Sequence, residues 1–217
     1  MQASSRERVS IYARAIRHVI EHPRQVPTLT RWLRDRRASP LDLRIPWWPY
    51  TLPPWLANSL PAGARVYEFG AGGSTLWLED QGFSVTSVES DPGWFTHLRR
   101  CVRRPSTDVV LIAAASHGSI SSSIDPGYFD GYVSHISQFA DDTFDLVVID
   151  GRCRVAAGTT SMTKVRPGGL LLLDDSARER YGPLRHALSD WEAHTFLALR
   201  PGGTPPSSTT IWRKPIR

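Results

Sequence analysis

From Ala64 onward, short apolar runs alternate with helix-like segments, and this alternation constrains the fold more than any other feature of the chain. Arg65–Phe69, Phe83–Val88, Asp108–Ile112, Phe144–Ile149 and Leu170–Leu173 read as strands. The last two are continuous apolar runs, the pattern of strands covered on both faces. One helix runs through Leu76, Trp77 and Leu78. Another opens at Asp91-Pro92, with aspartate as N-cap and proline at the first helical position. Trp94, Phe95, Leu98, Cys101 and Val102 form its buried stripe, and Arg99, Arg100, Arg103 and Arg104 suit its negative C-terminal end. Tyr181–Trp191 reads as a helix, and Thr195–Leu199 and Ser208–Trp212 as a closing strand pair around the turn Pro201-Gly202-Gly203. Strands alternating with helices predict an α/β fold, a Rossmann-like doubly wound sheet that is mostly parallel. Residues 113–140 are rich in serine, glycine and histidine and read as a long functional or mobile loop.

The segment before Ala64 differs in character. Val9, Tyr12, Ile16, Val19 and Ile20 recur at helical spacing with Arg6, Arg14, Arg17 and Glu21 opposite, and Pro23 closes that helix. A second short helix around Thr28–Arg37 stripes Leu29, Trp32 and Leu33. Residues 1–37 carry nine arginines against Glu7, Glu21 and Asp35, a net +6, so the overall charge of +5 belongs to this arm and the rest is near neutral. A basic amphipathic arm suits either packing on the domain or peripheral contact with an anionic membrane. Residues 45–56 are stiffened by proline and expected to be irregular. Their Trp47, Trp48, Tyr50 and Trp55 suit a substrate-pocket wall or the contact between arm and sheet. The chain thus divides into an N-terminal helical arm with its aromatic, proline-rich segment over 1–61 and a ligand-binding domain over 62–217. No run approaches the roughly 20 apolar residues of a membrane span. No secretory signal is read, and Cys101 and Cys153 are too few for a disulfide framework, so a cytoplasmic protein is expected.

The first strand ends in Glu68-Phe-Gly70-Ala71-Gly72-Gly73-Ser74-Thr75. Glycines there let the chain turn sharply and approach a ligand closely, at the opening of a helix whose N-terminus favours an anionic group. The dinucleotide fingerprint requires glycine at 75, where threonine stands. Glu89 ends the second strand 19 residues after Gly70, placed to accept hydrogen bonds from ribose hydroxyls. Asp150-Gly151 follows the fourth strand and Asp174-Asp175 the fifth, at the strand ends where ligands bind in open α/β sheets.

As an ordered set over about residues 62–213, these motifs resemble class I S-adenosylmethionine-dependent methyltransferases. The tail Asp174-Asp175-Ser176-Ala177-Arg178-Glu179-Arg180-Tyr181, with Thr209-Thr210-Ile211-Trp212-Arg213, is similar to bacterial branches that modify small molecules or glycans. The resemblance implies an antiparallel last strand and S-adenosylmethionine as cofactor. It also implies binding by Glu68, Gly70, Ala71, Gly72, Ser74, Glu89, Ser90 and Asp150, with Glu89 on the ribose and Ser90 beside the adenine. Methyl transfer to oxygen of a small hydroxylated acceptor, a sugar or a secondary metabolite, is the activity implied. In the catechol-type members, carboxylates placed like Asp150, Asp174 and Asp175 hold Mg²⁺, which lowers the hydroxyl pKa. The alternative neutralisers of those three charges are Arg152 and Arg178. Without a metal, Asp150, His117 or His135 is the expected proton acceptor. Arg152, Arg154, Arg178 and Arg180 flank the same rim and suit an anionic acceptor.

Two rivals stay open: an NAD-linked oxidoreductase, and a non-catalytic module of the same fold whose basic arm contacts a membrane or partner. A nucleic-acid substrate is disfavoured, because the core is near neutral and Asp150-Gly151-Arg152-Cys153 stands where base methylases carry a proline-aromatic tetrad. Assembly into a homo-oligomer is left open.

Overall fold

The protein is described from a computed structural model that covers residues 5–216, the side chains of residues 5–8 excepted. Residues 1–4 of the arm, the Arg6 side chain and Arg217 lie outside that description. The arm comprises α1 (Ser5–Glu21), a 3-10 turn at Pro23–Gln25, α2 (Val26–Asp35) and α3 (Pro40–Leu43). Only one edge of the apolar stripe expected on α1 packs, the edge that carries Val19. Ala15 and Val19 are buried with Trp32, Tyr50 and Leu199, because a small side chain at 15 lets the helix approach closely. Val9, Tyr12, Ile16 and Ile20 stay exposed. Residues 45–56 are also more regular than expected. The helix α4 (Leu52–Ser59) starts there, with Pro53 and Pro54 in a first turn whose amides have no intrahelical acceptor in any case.

The domain alternates β1 (Arg65–Phe69), α5 (Gly73–Asp80), β2 (Ser84–Glu89), α6 (Pro92–Arg99) and β3 (Thr107–Leu111). After the long loop come α7 (Asp130–Ser134), β4 (Phe144–Ile149), α8 (Arg154–Ser161), β5 (Val165–Asp174), α9 (Gly182–Ala187), β6 (Glu192–Ala198) and β7 (Ser207–Arg213). The strands form one seven-stranded sheet ordered β3-β2-β1-β4-β5-β7-β6. All run parallel except β7, which is antiparallel to both β5 and β6. The expected Rossmann-like sheet with an antiparallel last strand is therefore present.

Alternation along the central strands sorts the core into two layers. Tyr67, Phe69, Val147, Ile149, Leu171 and Leu173 face α7, α8 and α9. Val66, Leu146, Val148, Leu170 and Leu172 face Trp48, Leu52, Leu56 and Leu78 on the other side. The stripe expected on α6 packs around Leu98 and Val109. Two other expectations shorten. Tyr181–Trp191 is a 3-10 turn (Glu179–Tyr181) followed by α9, not one helix. The loop 113–140 ends in α7 and the 3-10 turn His135–Gln138, anchored by Tyr132, Val133 and Ile136 in the core.

Candidate cofactor and active site

Strand register brings the site together. Phe69 pairs with Val88 on one side and Ile149 on the other, and Ile149 pairs with Leu173. Gly70, Glu89, Asp150 and Asp174 therefore follow in one row at the C-terminal rim of the sheet. Gly70 has φ +91°, and a Cβ on it would lie 2.6 Å from Gly151 Cα, so only glycine lets the β1 and β4 loops pass this closely.

A cavity of about 590 Å³ opens above this row. Gly70, Ala71, Gly72, Ser74, Glu89, Ser90 and Asp150, all expected cofactor contacts, line it. Glu68 does not. It is fully buried beneath the glycine turn, where its Oε2 accepts from Thr75 Oγ1 at 2.5 Å and Ser87 Oγ at 2.6 Å. The Thr75 hydroxyl in turn accepts from the Gly72 amide at 2.8 Å, so Glu68 shapes the turn rather than touching what sits on it. Burial raises its carboxyl to about 7. Its Oε1 has no hydrogen-bond partner.

Glu89 is held by its neighbours: Oε1 accepts from the Ser90 and Asp91 amides at 2.6 and 2.9 Å. Its Oε2 accepts from none of the described residues. Burial raises its pKa, opposed by those amides. Sequence reasoning missed several walls of the cavity. Trp94 donates its indole N–H to Ala71 O at 2.7 Å and presents its ring beside the glycine turn. Tyr132 comes from α7, and Ser39 and Pro40 belong to the arm. A Cβ on Gly73 would fall 2.2 Å from Ile45 O, which shows how tightly the arm closes over the turn. The aromatic segment thus serves both ends considered for it. Trp47 walls the cavity, while Tyr50 donates its hydroxyl to Asp35 Oδ2 at 3.1 Å within the arm and its amide to Leu199 O at 2.9 Å, which ties the arm to the domain.

The expected divalent site is not formed. Asp150, Asp174 and Asp175 do lie at neighbouring strand ends, but guanidinium groups already hold them. Asp150 Oδ1 accepts from Arg154 at 2.8 Å and Oδ2 from the Trp48 indole at 3.1 Å. Asp174 accepts from Thr209 Oγ1 at 2.7 Å and faces Arg154 and Arg200 at 3.7 Å each. Asp175 is paired with Arg178 and, at 3.1 Å, with Arg200. Burial raises Asp150 and lifts Asp174 to about 8. Among the described residues, no group of three or more His, Cys, Asp or Glu side chains is arranged to hold a metal ion. Like charges this close need neutralising. Of the two arginines weighed for that role, Arg178 fills it and Arg152 pairs with Asp125 instead.

Neither histidine reaches the cavity. His117 is exposed on the loop and bonds Ser116 Oγ at 2.8 Å. His135 bonds Tyr67 Oη at 2.8 Å through Nδ1, packs near Phe139, and has its pKa lowered by burial. Of the three expected proton acceptors only Asp150 lines the cavity.

Several solved structures share this architecture. An rRNA methylase from Streptococcus thermophilus is 14% identical, with 76% of this chain and 95% of that one covered and a TM-score of 0.54. The N-methyltransferase NodS from Bradyrhizobium japonicum is 16% identical over 76% and 93% of the two chains, at 0.50. The fold is the methyltransferase fold. It also includes the (4+2) cyclase SpnF, 12% identical over 77% and 81% of the chains at 0.50, so the methyltransferase fold does not by itself dictate the reaction. No protein-family model and no curated protein matches the sequence.

Proposed function

We propose that the chain binds S-adenosylmethionine in the cavity above β1, β2 and β4 and transfers its methyl group to an oxygen of a small hydroxylated acceptor, a sugar or a secondary metabolite. The observation that carries this reading is Glu89, whose Oε1 is fixed by two amides while its Oε2 is left for the paired ribose hydroxyls. The glycine turn and Trp94 fit the remainder of a nucleoside with an amino-acid tail. When bound, the cofactor supplies an electrophilic methyl on a positively charged sulfur.

The protein aligns the acceptor oxygen with that carbon, an effect worth about 7–11 kcal/mol when geometry is near-attack. Bound there, the cofactor would supply the methyl to the acceptor oxygen and keep the electron pair of the broken C–S bond, so this chain's residues would have to take up the hydroxyl proton. Asp150 is the proposed acceptor of that proton, since it lines the cavity and burial raises its basicity. The NAD rival is disfavoured by Thr75, whose side chain is built into the turn, and by the reversed β7 inserted before the sheet edge.

Titration calorimetry tests the reading. S-adenosylhomocysteine is expected to bind, with NAD far weaker. Glu89→Ala is expected to weaken binding by about 1–3 kcal/mol through loss of charge-assisted hydrogen bonds. Equal affinity in mutant and wild type removes Glu89 from the site. Cofactor binding without methyl transfer over a broad hydroxylated panel supports the non-catalytic rival.

For the arm we propose peripheral contact with an anionic bilayer. Val9, Ile16 and Ile20 are 69%, 50% and 72% exposed on one face of α1. Arginines dominate the surrounding arm, as an interfacial helix requires.

A further inference from the structure

Beside the cofactor cavity lies a second one of about 370 Å³, which shares Gly151 and Arg152 with the first. The loop segment 120–124, the start of α8 and the turn after β5 form its walls. The two cavities have opposite polarity. Glu89, Asp91 and Asp150 line the first against the single cation Arg152, which suits a ligand carrying a sulfonium and an ammonium. Arg152, Arg154 and Arg180 line the second, with no Asp or Glu among its lining residues.

The three arginines are not equivalent. Arg154 is held by Asp150 and Asp174, and Arg152 by Asp125. Arg180 has no carboxylate partner among the described residues. Its guanidinium donates to Tyr181 Oη at 3.2 Å and lies 5.1 Å from the centre of that ring, so it is positioned but not neutralised. Ile120, Val155 and Tyr181 give the same cavity an apolar wall, and Ser121–Ser123 add hydroxyl-bearing side chains.

Resting on the methyl-transfer reading, we propose that this second cavity is the acceptor site and that it selects hydroxylated acceptors bearing an anionic group, a carboxylate or phosphate, which Arg180 binds. A guanidinium recognises either oxyanion through the same forked donors. The shared Arg152 and Gly151 put the acceptor's far end at the mouth of the cofactor cavity. Arg180 is thus a specificity residue, not a catalytic one.

Matched probes test this on the full chain saturated with S-adenosylhomocysteine. Calorimetry would compare 4-hydroxybenzoate with 4-hydroxybenzyl alcohol, and glucuronate with glucose. At least one acid is expected to bind about tenfold or more tightly than its neutral partner. Arg180→Gln is expected to abolish that preference while leaving S-adenosylhomocysteine affinity unchanged, and Arg180→Lys to restore part of it. An unchanged melting temperature in both variants separates lost recognition from lost folding. If neither acid is preferred, or if the preference survives Arg180→Gln, the proposal is overturned. Failure of the wild type to bind S-adenosylhomocysteine overturns the methyl-transfer reading and this proposal with it. Cofactor binding with no preference for acids overturns this proposal alone.

Discussion

Glu68→Gln is expected to stabilise the free protein in alkali and to change it little more than a fixed offset in acid. The Glu68 carboxyl is raised to about 7 from an ordinary 4.5 by burial. Between those two values the folded protein keeps a proton that the unfolded chain has released. Stability therefore falls as pH rises across that window, and is level with respect to Glu68 below it. The gap of about 2.5 pH units, at 1.36 kcal/mol per unit, amounts to about 3 kcal/mol above pH 7. Glutamine keeps an oxygen for Thr75 and Ser87 and cannot ionise. Its amide N–H₂ would stand where Oε1 already lacks a partner, a cost that does not vary with pH. Asp174, raised to about 8, also makes stability fall with pH, but it is present in both proteins and cancels in the difference. Urea unfolding at pH 5, 6, 7 and 8 measures that difference directly. A mutant-minus-wild-type stability that stays constant over this range refutes the buried, protonated carboxyl. Because Thr75 Oγ1 also holds the Gly72 amide, Glu68→Gln is expected to retain cofactor binding and Glu68→Ala to lose most of it.

Exhaustive EDTA treatment is expected to leave methyl transfer unchanged, since guanidinium groups already neutralise Asp150, Asp174 and Asp175; loss of activity restored by Mg²⁺ would contradict that arrangement. His117→Ala and His135→Ala are expected to keep kcat within a few-fold of wild type and to leave its pH profile unshifted, and a tenfold drop in either would place that histidine in the reaction. Sedimentation with phosphatidylserine vesicles is expected to pull down the protein in low salt and release it in high salt. Ile16→Glu with Ile20→Glu should abolish that binding, whereas a self-associating protein indifferent to vesicles would make the stripe a contact between copies.

The cavity at the ends of β1, β2 and β4 was legible in the sequence because backbone requirements write themselves into residue type. A strand that must turn sharply past its neighbour's loop needs glycine, and Gly70 at φ +91° is that case. A carboxylate at the end of a parallel strand falls on the ligand-binding rim of such a sheet, and Glu89 is there, lining the cavity. The strands themselves were legible as short apolar runs bounded by turn residues, and the reversed last strand was implied by the resemblance, whereas the order of the strands in the sheet is a finding of the structure. Side-chain roles were less legible. Glu68 sits in the motif, yet alternation along β1 turns it away from the cavity and into the layer beneath the glycine turn. On α1, periodicity identified the apolar residues but not which edge of the stripe would meet the sheet, because Ala15 carries little hydrophobic signal and allows the closest packing.

The carboxylate row shows where such reading stops. The resemblance grouped the three carboxylates, and with β4 paired to β5 Asp150 and Asp174 do stand side by side. What neutralises them depends on Arg154, four residues past Asp150 on α8, and on Arg200, which follows β6 and reaches the site because β6 runs parallel to β5 and so ends on the same rim. No local spacing encodes the second partner. The same holds for the proposed acceptor side, whose walls come from three loops far apart in sequence. A carboxylate cluster at strand ends is therefore equally consistent with a metal and with an arginine lattice until the loops are placed. Here the lattice has a consequence the metal would not: with Arg154 and Arg152 engaged by carboxylates, Arg180 is the one cation lining the second cavity that has no carboxylate partner among the described residues, so any charge the acceptor brings is read there.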